Sequence, residues 1–407
     1  MDVVTEKPTT KVVPEGYKRT EVGVIPEDWE VKSIGDVANC YSGGTPDTSN
    51  SSYYGGDINW ITSSDLNRLR IKKVDGKITK EGLEKSSTKI VNEDTLLIAL
   101  YGATAGVVAM SEIKAAINQA VLAIEPISDN SEYLLQKLSF LKEWIIDKYT
   151  QGGQPNLSGK LVKSIKLDLP TLKEQRAIAE ALSDVDALIA ELDALIEKKQ
   201  QVKKGAMQQV LTGKKRLPGF DGEWEEKKLG DVLHFQTGNP FSSKYFNENE
   251  FGKRLIKNRD LKSDEQVIYY SGPHSQADIV ENGDLLVGMD GDFIPCLWDK
   301  GTALLNQRVG KINANGEINI KFLFYYIQKP LQNIQHKTSA TTVKHLSHND
   351  IEKMELPLPS IEEQKAIAQI LSDMDSEIQA LQTKRSKYEQ IKQGMMQELL
   401  TGKTRLG

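Results

Sequence analysis

The sequence predicts a mixed α/β protein of the α+β type, made of two similar domains that are each followed by a long helix. Three observations support this prediction: a long internal repeat, heptad spacing inside the repeat, and short apolar segments divided by glycine and alanine outside it. At 407 residues the chain is long enough to bury more than one core. The predicted order is a domain over 1–170, a helix over 171–213, a domain over 214–359 and a helix over 360–407.

The repeat is the most informative feature of the chain. Leu169–Leu217 returns without a gap as Leu358–Leu406, with far more identity than shared helix composition gives. Outside these two copies the two halves of the chain are less similar, and most of their remaining sequence diverges. Similar scaffolds with different loops are the pattern expected if each half recognises something different. The weaker similarity pairs Trp29–Val37 with Trp224–Val232, Asn118-Gln119 with Asn306-Gln307, and Leu157-Ser158 with Leu346-Ser347.

Both copies of the repeat are predicted to be helices that pair with each other. Thr171 with Glu174, and Ser360 with Glu363, fit the Ser/Thr-x-x-Glu capping box. Because the helices share their heptad register and are separated by a whole domain, we expect an antiparallel coiled coil with pseudo-twofold symmetry. The alternative is that each helix packs on its own domain. The predicted coiled-coil interface is Ile178, Leu182, Val185, Ile189, Leu192, Ile196, Ile367, Leu371, Met374, Ile378, Leu381 and Tyr388.

The composition indicates a globular protein and argues against several classes. No segment has the length and hydropathy of a membrane span, and the N-terminus lacks the apolar region of a signal peptide, so we expect a cytoplasmic protein with no membrane partner. The two cysteines, Cys40 and Cys296, are far apart, which favours a reduced compartment. No residues have the spacing of a metal site or of a nucleophile with its base, so we expect no metal and no catalytic residue.

The distribution of basic residues along the chain favours a nucleic-acid partner, although the net charge does not. The net charge of −5 counts against a polyanionic partner, but binding depends on the cations that meet phosphates. Basic residues cluster at similar places in the two halves, near Asp65 and Asp260. The alternative is that both clusters are solvated faces. The candidate DNA-binding residues are Arg68, Arg70, Lys72 and Lys73 in the first half, and Lys253, Arg254, Lys257 and Arg259 in the second.

These features together resemble the specificity subunit of Type I restriction–modification enzymes, over nearly the whole chain. The resemblance rests on Ile34-Gly35-Asp36 after Trp29, the loop Ser42-Gly43-Gly44-Thr45-Pro46, Leu169-Pro170 to Gln175 with its second copy, and the Leu-Leu-Thr-Gly-Lys helix ends. The order of domain, helix, domain and helix is itself distinctive. One departure is Gly238-Asn239-Pro240, which stands where the first half has Gly43-Gly44-Thr45.

The resemblance implies a non-catalytic subunit that recognises DNA. Each variable domain would be a target recognition domain that reads one half of a bipartite, asymmetric site in double-stranded DNA. The paired helices would set the distance between the halves and dock two methyltransferase (modification) subunits and the restriction subunits. This chain would bind no cofactor; the partner subunits would use S-adenosylmethionine, ATP and Mg.

Further candidate DNA-binding residues follow from this interpretation, with arginine expected to read guanine and lysine to contact phosphate. The alternative function is a coiled-coil scaffold that joins proteins without reading DNA. The additional candidates, which lie in loops, are Gly43, Thr45, Tyr53, Tyr54, Gln154, Asn156, Thr342, Lys344 and His345.

Overall fold

A computed structural model of the chain describes residues 13–149, 156–337 and 345–406. The chain divides into two compact units. Unit 1 consists of Met1–Leu192 and Lys384–Gly407, and unit 2 of Asp193–Thr383. Each unit therefore contains one mixed α/β domain and a part of each long helix. None of the helices in the described part of the chain has the length and hydropathy needed to cross a bilayer.

The described residues of unit 1 form thirteen strands and four α-helices before the first long helix begins. The strands are β1 (Tyr17–Thr20), β2 (Gly23–Pro26), β3 (Glu30–Ser33), β4 (Ala38–Ser42), β5 (Tyr54–Ile61), β6 (Arg70–Ile71), β7 (Lys77–Ile78), β8 (Lys89–Val91), β9 (Thr95–Ala99), β10 (Val108–Ser111), β11 (Ala115–Ile117), β12 (Val121–Pro126) and β13 (Lys166–Leu169). The helices are α1 (Ile34–Val37), α2 (Lys80–Glu84), α3 (Ser131–Tyr149) and α4 (Gly159–Ser164), and the first long helix is α5 (Leu172–Val210).

The core of unit 1 lies on both sides of a five-stranded sheet of order β4-β12-β9-β10-β6. Every residue of β9 is buried, as expected for a central strand with both faces covered. Alternate side chains of this strand enter different cores. Leu96 and Ile98 pack in the cluster that contains α3, whereas Leu97 and Ala99 pack in the cluster that faces the second sheet. That second sheet has the order β7-β5-β11-β8.

Unit 2 repeats this design with fewer and different strands. The elements are β14 (Glu225–Lys228), α6 (Leu229–Val232), β15 (Leu233–Thr237), β16 (Phe246–Asn247), β17 (Lys253–Ile256), β18 (Ile268–Tyr270), β19 (Ile279–Val280), β20 (Leu285–Gly288), β21 (Pro295–Leu297), β22 (Ala303–Leu305), β23 (Val309–Ala314), α7 (Ile320–Lys337), α8 (His348–Glu352), β24 (Glu355–Leu358) and the second long helix α9 (Ile361–Leu399).

The sheets of unit 2 match those of unit 1 in order. The sheet β15-β23-β20-β21 corresponds to β4-β12-β9-β10, and the other sheet has the order β16-β18-β17-β22-β19. The central strand β20 again divides its side chains between two cores. Leu285 and Val287 pack toward α7, and Leu286 packs toward the other sheet. The same arrangement therefore arises from two sequences that share few residues here.

The long helices are antiparallel in each unit. In unit 1, Ile178 and Leu182 near the start of α5 share a core with Leu399 and Leu400 at the end of α9. In unit 2, Val210 at the end of α5 shares a core with Ile367 and Leu371 near the start of α9. Each fully buried leucine here contributes about 1.5–3 kcal/mol. The predicted α+β fold with antiparallel helix pairing is confirmed.

Ion pairs on the helices follow the same antiparallel register. In unit 1 the Lys392 ammonium lies 2.7 Å from the Asp186 carboxylate. In unit 2 the Lys199 ammonium lies 2.6 Å from the Glu377 carboxylate, and Lys203 pairs with Asp375. Lys199, Lys203 and Lys392 are three of the four charged residues that interrupt the predicted apolar heptads; the fourth, Arg385, lies 2.9 Å from Glu389 of its own helix. The charges of the three lysines are neutralised across the helix pair, which explains why the heptad pattern tolerates them.

Candidate nucleic-acid interface

A short 3₁₀ turn holds the basic segment of each unit in place. The turns are Ser63–Asn67 in unit 1 and Asn258–Leu261 in unit 2. The Asp65 carboxylate accepts the Thr62 backbone N–H at 2.8 Å, and the Asp260 carboxylate accepts the Lys257 backbone N–H at 2.7 Å. These aspartates therefore close the turns that present the neighbouring cations.

The basic segment of unit 1 contains both exposed cations and one cation with a structural role. Arg68, Lys72 and Lys73 are exposed. Arg70 is only 28% exposed, and its guanidinium lies 3.3 Å from the Glu112 carboxylate and 2.8 Å from the Glu132 carboxylate. Arg70 thus joins β6 to α3, and a base contact by this residue would have to break two ion pairs.

The basic segment of unit 2 divides in the same way. The Arg254 side chain is 12% exposed, pairs with Asp264 and lies 5.0 Å over the Trp298 ring. It therefore packs inside the domain. Lys253 is partly exposed, whereas Lys257 and Arg259 point into an open groove.

This groove in unit 2 has a volume of about 660 Å³. Its wall combines basic side chains with aromatic rings, which is the composition used to contact phosphates and bases together. The Lys257 ammonium lies 5.2 Å from the Phe246 ring, and Lys262 pairs with Asp292. The basic residues that line the groove are Lys257, Arg259, Lys262 and Arg308.

The glycine-rich loop of unit 1 is fixed by close backbone packing. A Cβ atom at Gly43 would lie 1.8 Å from the Ile117 carbonyl oxygen, and one at Gly238 in unit 2 would lie 2.0 Å from the Leu305 carbonyl oxygen. Glycine is therefore required at both equivalent positions for packing. Thr45 donates its hydroxyl hydrogen bond to the Gln119 side chain, which ties this loop to the segment after β11.

The two tyrosines of the same loop are partly exposed. The Tyr54 hydroxyl donates to the Pro46 carbonyl at 2.7 Å, and its ring contacts Trp60 edge-on at 5.8 Å between centroids. The Tyr53 carbonyl accepts the Thr79 backbone N–H at 2.9 Å. The Tyr54 ring is therefore held in place, and the exposed surface of both tyrosine rings is available for stacking.

Three chain segments meet at equivalent places in the two units, and we call this arrangement the bridge layer. In unit 1 it comprises 100–101, 120 and 156–157, and in unit 2 it comprises 289–290, 308 and 345–346. Isolated β-bridges join Tyr101 to Asn156 and Asp290 to His345. Two of the loop candidates, Asn156 and His345, thus occupy matching positions. The other three candidates of these loops, Gln154, Thr342 and Lys344, lie outside the described residues.

The backbone hydrogen bonds of the bridge layer are the same in both units. In unit 1, the Leu100 N–H donates to the Ala120 carbonyl and the Leu157 N–H to the Leu100 carbonyl, both at 2.8 Å. In unit 2, the Met289 N–H donates to the Arg308 carbonyl at 3.1 Å and the Leu346 N–H to the Met289 carbonyl at 2.8 Å. One backbone frame therefore carries different side chains in the two units.

The sequence analysis missed two members of the bridge layer in unit 2, Asp290 and Arg308. The Arg308 guanidinium lies 2.7 Å from the Asp290 carboxylate and is 64% exposed. A signal for Arg308 was present, because it follows Asn306-Gln307, which aligns with Asn118-Gln119 of the first half. Nothing in the local sequence indicated Asp290, because its partners come from distant segments.

The predicted coiled-coil residues lie on the inner faces of α5 and α9. Most of them are buried, and the remainder are partly exposed. The buried set is Ile178, Leu182, Val185, Leu192, Ile196, Ile367, Leu371 and Ile378. The partly exposed set is Ile189, Met374, Leu381 and Tyr388.

A buried carboxylate clamps the two helix ends together in unit 1. Glu174, in the first turn of α5, accepts the Trp29 indole N–H at 3.2 Å and the Arg405 Nε–H at 2.7 Å. Arg405 follows the end of α9 and also pairs with Asp28 at 2.6 Å. The Glu174 side chain is only 4% exposed, and Trp29 is fully buried.

The clamp recurs in unit 2 and corrects the predicted capping boxes. Glu363 accepts from Arg216 at 2.7 and 2.8 Å and from the Trp224 indole at 3.0 Å. The hydroxyls of Thr171 and Ser360 do accept the expected backbone N–H groups, at 3.4 and 3.3 Å. The prediction that both glutamates complete a capping box was wrong, because each carboxylate instead binds an arginine and a tryptophan.

The described ranges contain no group of three or more histidine, cysteine or acidic residues placed to hold a metal ion. Cys40 and Cys296 are free thiols, and burial raises the pKa of each thiol above its usual value. The arrangement is that of a binding protein: exposed cations, aromatic rings and amide groups on rigid turns.

Comparison with protein families gives a match over most of the chain. Residues 26–204 and 221–393 match the Type I restriction modification DNA specificity domain. The chain is 30% identical to the MjaVIII specificity subunit of a type I restriction enzyme from Methanocaldococcus jannaschii, over 96% of both chains. It is 30% identical to the MjaX specificity subunit of the same organism, over 96% of this chain and 97% of the other.

Other similar proteins match over less of the chain or at lower identity. The specificity subunit of the type I restriction enzyme EcoBI from Escherichia coli is 34% identical over 48% of this chain and 41% of its own length. Among solved structures, the S subunit of a type I restriction–modification system from M. genitalium matches with a TM-score of 0.61 at 15% identity, over 91% of this chain and 96% of that one. This last similarity concerns the fold.

Proposed function

Because this chain belongs to the Type I restriction–modification DNA specificity family, we propose that its two units read two different half-sites of one asymmetric DNA sequence. The chain is the non-catalytic specificity subunit of such an enzyme. Each unit contributes one target recognition domain, and the paired helices fix the spacing between the half-sites. The proposed site of action is DNA in the cytoplasm.

The observation that carries this proposal is the bridge layer, where one backbone frame presents different side chains in the two units. Tyr101 and Asn156 occupy the positions in unit 1 that Asp290 and His345 occupy in unit 2. A hydrogen-bonding pattern that differs in charge and shape selects different base edges. Two similar frames with different side chains therefore favour an asymmetric site over a palindromic one.

Hydrogen bonds to bases supply only a small part of the affinity for DNA, and contacts of the exposed cations with phosphates supply the rest. The exposed cations of unit 1 are Arg68, Lys72 and Lys73, and in unit 2 Lys257 and Arg259 line the groove that also contains Asp290 and Arg308. Each phosphate neutralised by such a cation releases counterions, so the affinity for DNA falls as salt rises. Because these cations are concentrated at particular places, they can meet phosphates although the whole chain has a net charge of −5.

The outer faces of the long helices are the proposed docking surface for two methyltransferase subunits. In unit 1, Leu188 and Ile391 are 41% and 42% exposed, and in unit 2 Leu195 and Val202 are 39% and 51% exposed. Apolar side chains at heptad spacing on an exposed helix face suit a helix of a partner protein. The restriction subunits join this complex, and the partner subunits use S-adenosylmethionine, ATP and Mg.

The function is tested by mapping adenine methylation in a host that expresses this chain with its methyltransferase subunit. We expect methylation at one bipartite, asymmetric sequence, and none when this chain is omitted. Binding of the purified complex to a duplex with that sequence should weaken steeply with salt. Arg259→Ala should weaken binding to DNA by about 1–3 kcal/mol if the Arg259 guanidinium makes a bidentate hydrogen bond to a guanine.

Two outcomes would contradict the proposal. Methylation that occurs at the same sequence without this chain would remove its role in specificity. A complex that forms but shows no salt-dependent binding to any duplex would favour a protein scaffold instead. Docking is checked separately: Leu195→Glu should reduce the number of co-purifying methyltransferase subunits from two to one, whereas Glu197→Ala, at an exposed position of the same helix, should leave two.

A further inference from the structure

We propose that Arg308 of unit 2, held by Asp290, reads a guanine in the half-site of this unit. The inference rests on the proposed function, because it assumes that unit 2 meets base edges. It identifies a residue that determines specificity and the kind of base it selects.

The backbone at Arg308 is held on both sides. Its own N–H donates to the Asn306 side-chain oxygen at 3.2 Å, which closes a tight turn before β23. Its carbonyl accepts the Met289 N–H at 3.1 Å. Because β23 begins at the next residue, Val309, the side chain of Arg308 starts from a strand end whose position is set by the sheet.

The guanidinium is anchored at one edge and exposed at the other. Its Nη1 donates to the Asp290 carboxylate at 2.7 Å, and the other oxygen of that carboxylate lies 2.8 Å from His345 Nδ1. The Asp290 carbonyl accepts the Asn258 amide at 2.6 Å. Asp290 is thus fixed at three points and is 18% exposed, whereas Arg308 is 64% exposed. No second partner of the Arg308 guanidinium is found in the described part of the chain.

An arginine held in this way suits a guanine better than a phosphate. Its remaining N–H groups form a planar set of donors, and guanine presents two acceptors, N7 and O6, at matching separation in the major groove. The adjacent Asp290 carboxylate repels a phosphate but tolerates a base edge. The anchored end also reduces the side-chain freedom that binding must remove. Lys257 lines the same groove, and its ammonium lies over the Phe246 ring rather than against a carboxylate, which suits a phosphate better.

Unit 1 has the same frame without this pair. Ala120 occupies the position of Arg308, and Tyr101 occupies that of Asp290, while the backbone hydrogen bonds are equivalent. Alanine offers no donor to a base. The half-site of unit 1 should therefore not depend on this position for a guanine contact, so the chain contains its own internal comparison.

The inference is tested on the full chain in complex with its methyltransferase subunit. The variants are Arg308→Ala, Arg308→Lys and the control Lys321→Ala, which removes an exposed cation of unit 2 outside the groove. The probe is a pool of duplexes randomised across both half-sites, and the readout is the base preference at each position. The unfolding temperature of each variant reports whether the fold is intact.

We expect the wild-type complex to require guanine at one position of one half-site. Arg308→Ala should reduce that preference by about 5- to 150-fold, the range for one bidentate pair, and leave the other positions unchanged. Arg308→Lys should restore the preference only in part, because an ammonium lacks the planar fork. Lys321→Ala should behave as the wild type.

Two results would overturn the inference. One is an unchanged preference at every position in a folded Arg308→Ala complex. The other is uniform weakening across all sequences, which indicates a phosphate contact. In both cases the wild-type complex still shows a sequence preference, so the proposed function stands. If the wild-type complex shows no preference for any base, the proposed function fails as well.

Discussion

The clamp at Glu174 gives a prediction that can be worked from the structure. Glu174→Ala removes a carboxylate that is 4% exposed and holds the Trp29 indole N–H and the Arg405 guanidinium. These three residues come from the start of the domain, the start of α5 and the end of the chain. The substitution should therefore loosen the junction of the helix ends in unit 1 without touching the candidate DNA interface.

The expected cost is about 3 kcal/mol. A buried donor left without a partner costs about 1–3 kcal/mol, and the fully buried Trp29 N–H is such a donor. The lost hydrogen bonds to a charged group add to this, but Arg405 is 38% exposed and keeps its pair with Asp28, so its own loss is small. Glu174→Gln should cost less, because the amide oxygen can still accept from Trp29.

The assay is hydrogen–deuterium exchange of the native chain. A local loss of about 3 kcal/mol corresponds to roughly 150-fold faster exchange where the opened segment recloses faster than its amides exchange. We expect this acceleration in 26–33 and 396–406 and not in unit 2. The matched control is Glu180→Ala, which removes an exposed carboxylate from the same helix.

Equal exchange of the Glu174→Ala and Glu180→Ala chains in these segments would contradict the role assigned to the clamp. A change that spreads evenly over the chain would contradict it too, because a global effect does not depend on the clamp. If Glu174 acts as a buried hydrogen-bond acceptor, exchange in these segments should be fastest for Glu174→Ala, slower for Glu174→Gln and slowest for Glu180→Ala.

Two further predictions concern buried groups. Lys137 is 2% exposed, and burial lowers its pKa, but its ammonium lies 2.7 Å from the Asp168 carboxylate and donates to the Leu400 carbonyl at 2.6 Å. Because Lys137→Met leaves the Asp168 carboxylate without this partner, it should destabilise unit 1 by about 3–5 kcal/mol. An unchanged unfolding midpoint would contradict this prediction. Because burial raises the pKa of Cys40 and Cys296, less thiolate is present at pH 8 than for a free cysteine, and iodoacetamide should react slowly with the native chain and quickly in urea. Alkylation of the native chain at the rate of a free thiol would be evidence against that environment.

The candidate interface was only partly accessible to sequence reasoning. Clustered cations indicated the right segments, but the local pattern cannot distinguish an exposed cation from one that pairs inside the domain. Arg70 and Arg254 proved to be held by carboxylates: Glu132 approaches Arg70 from α3, whereas Asp264, only ten residues after Arg254, is brought against it by the fold of the segment between them. Arg308 was missed for the same reason, since its partner Asp290 lies on a different loop.

The sequence by itself determined the duplication, the two long helices and their antiparallel pairing. These features depend on periodicity and on identity along the chain, which are local or repeated signals. Tertiary structure alone decided which side chains are free to meet DNA and how Glu174 and Glu363 clamp the helix ends. The physical reason is that burial and ion pairing depend on residues that are far apart in the chain and meet only when the sheets and helices pack.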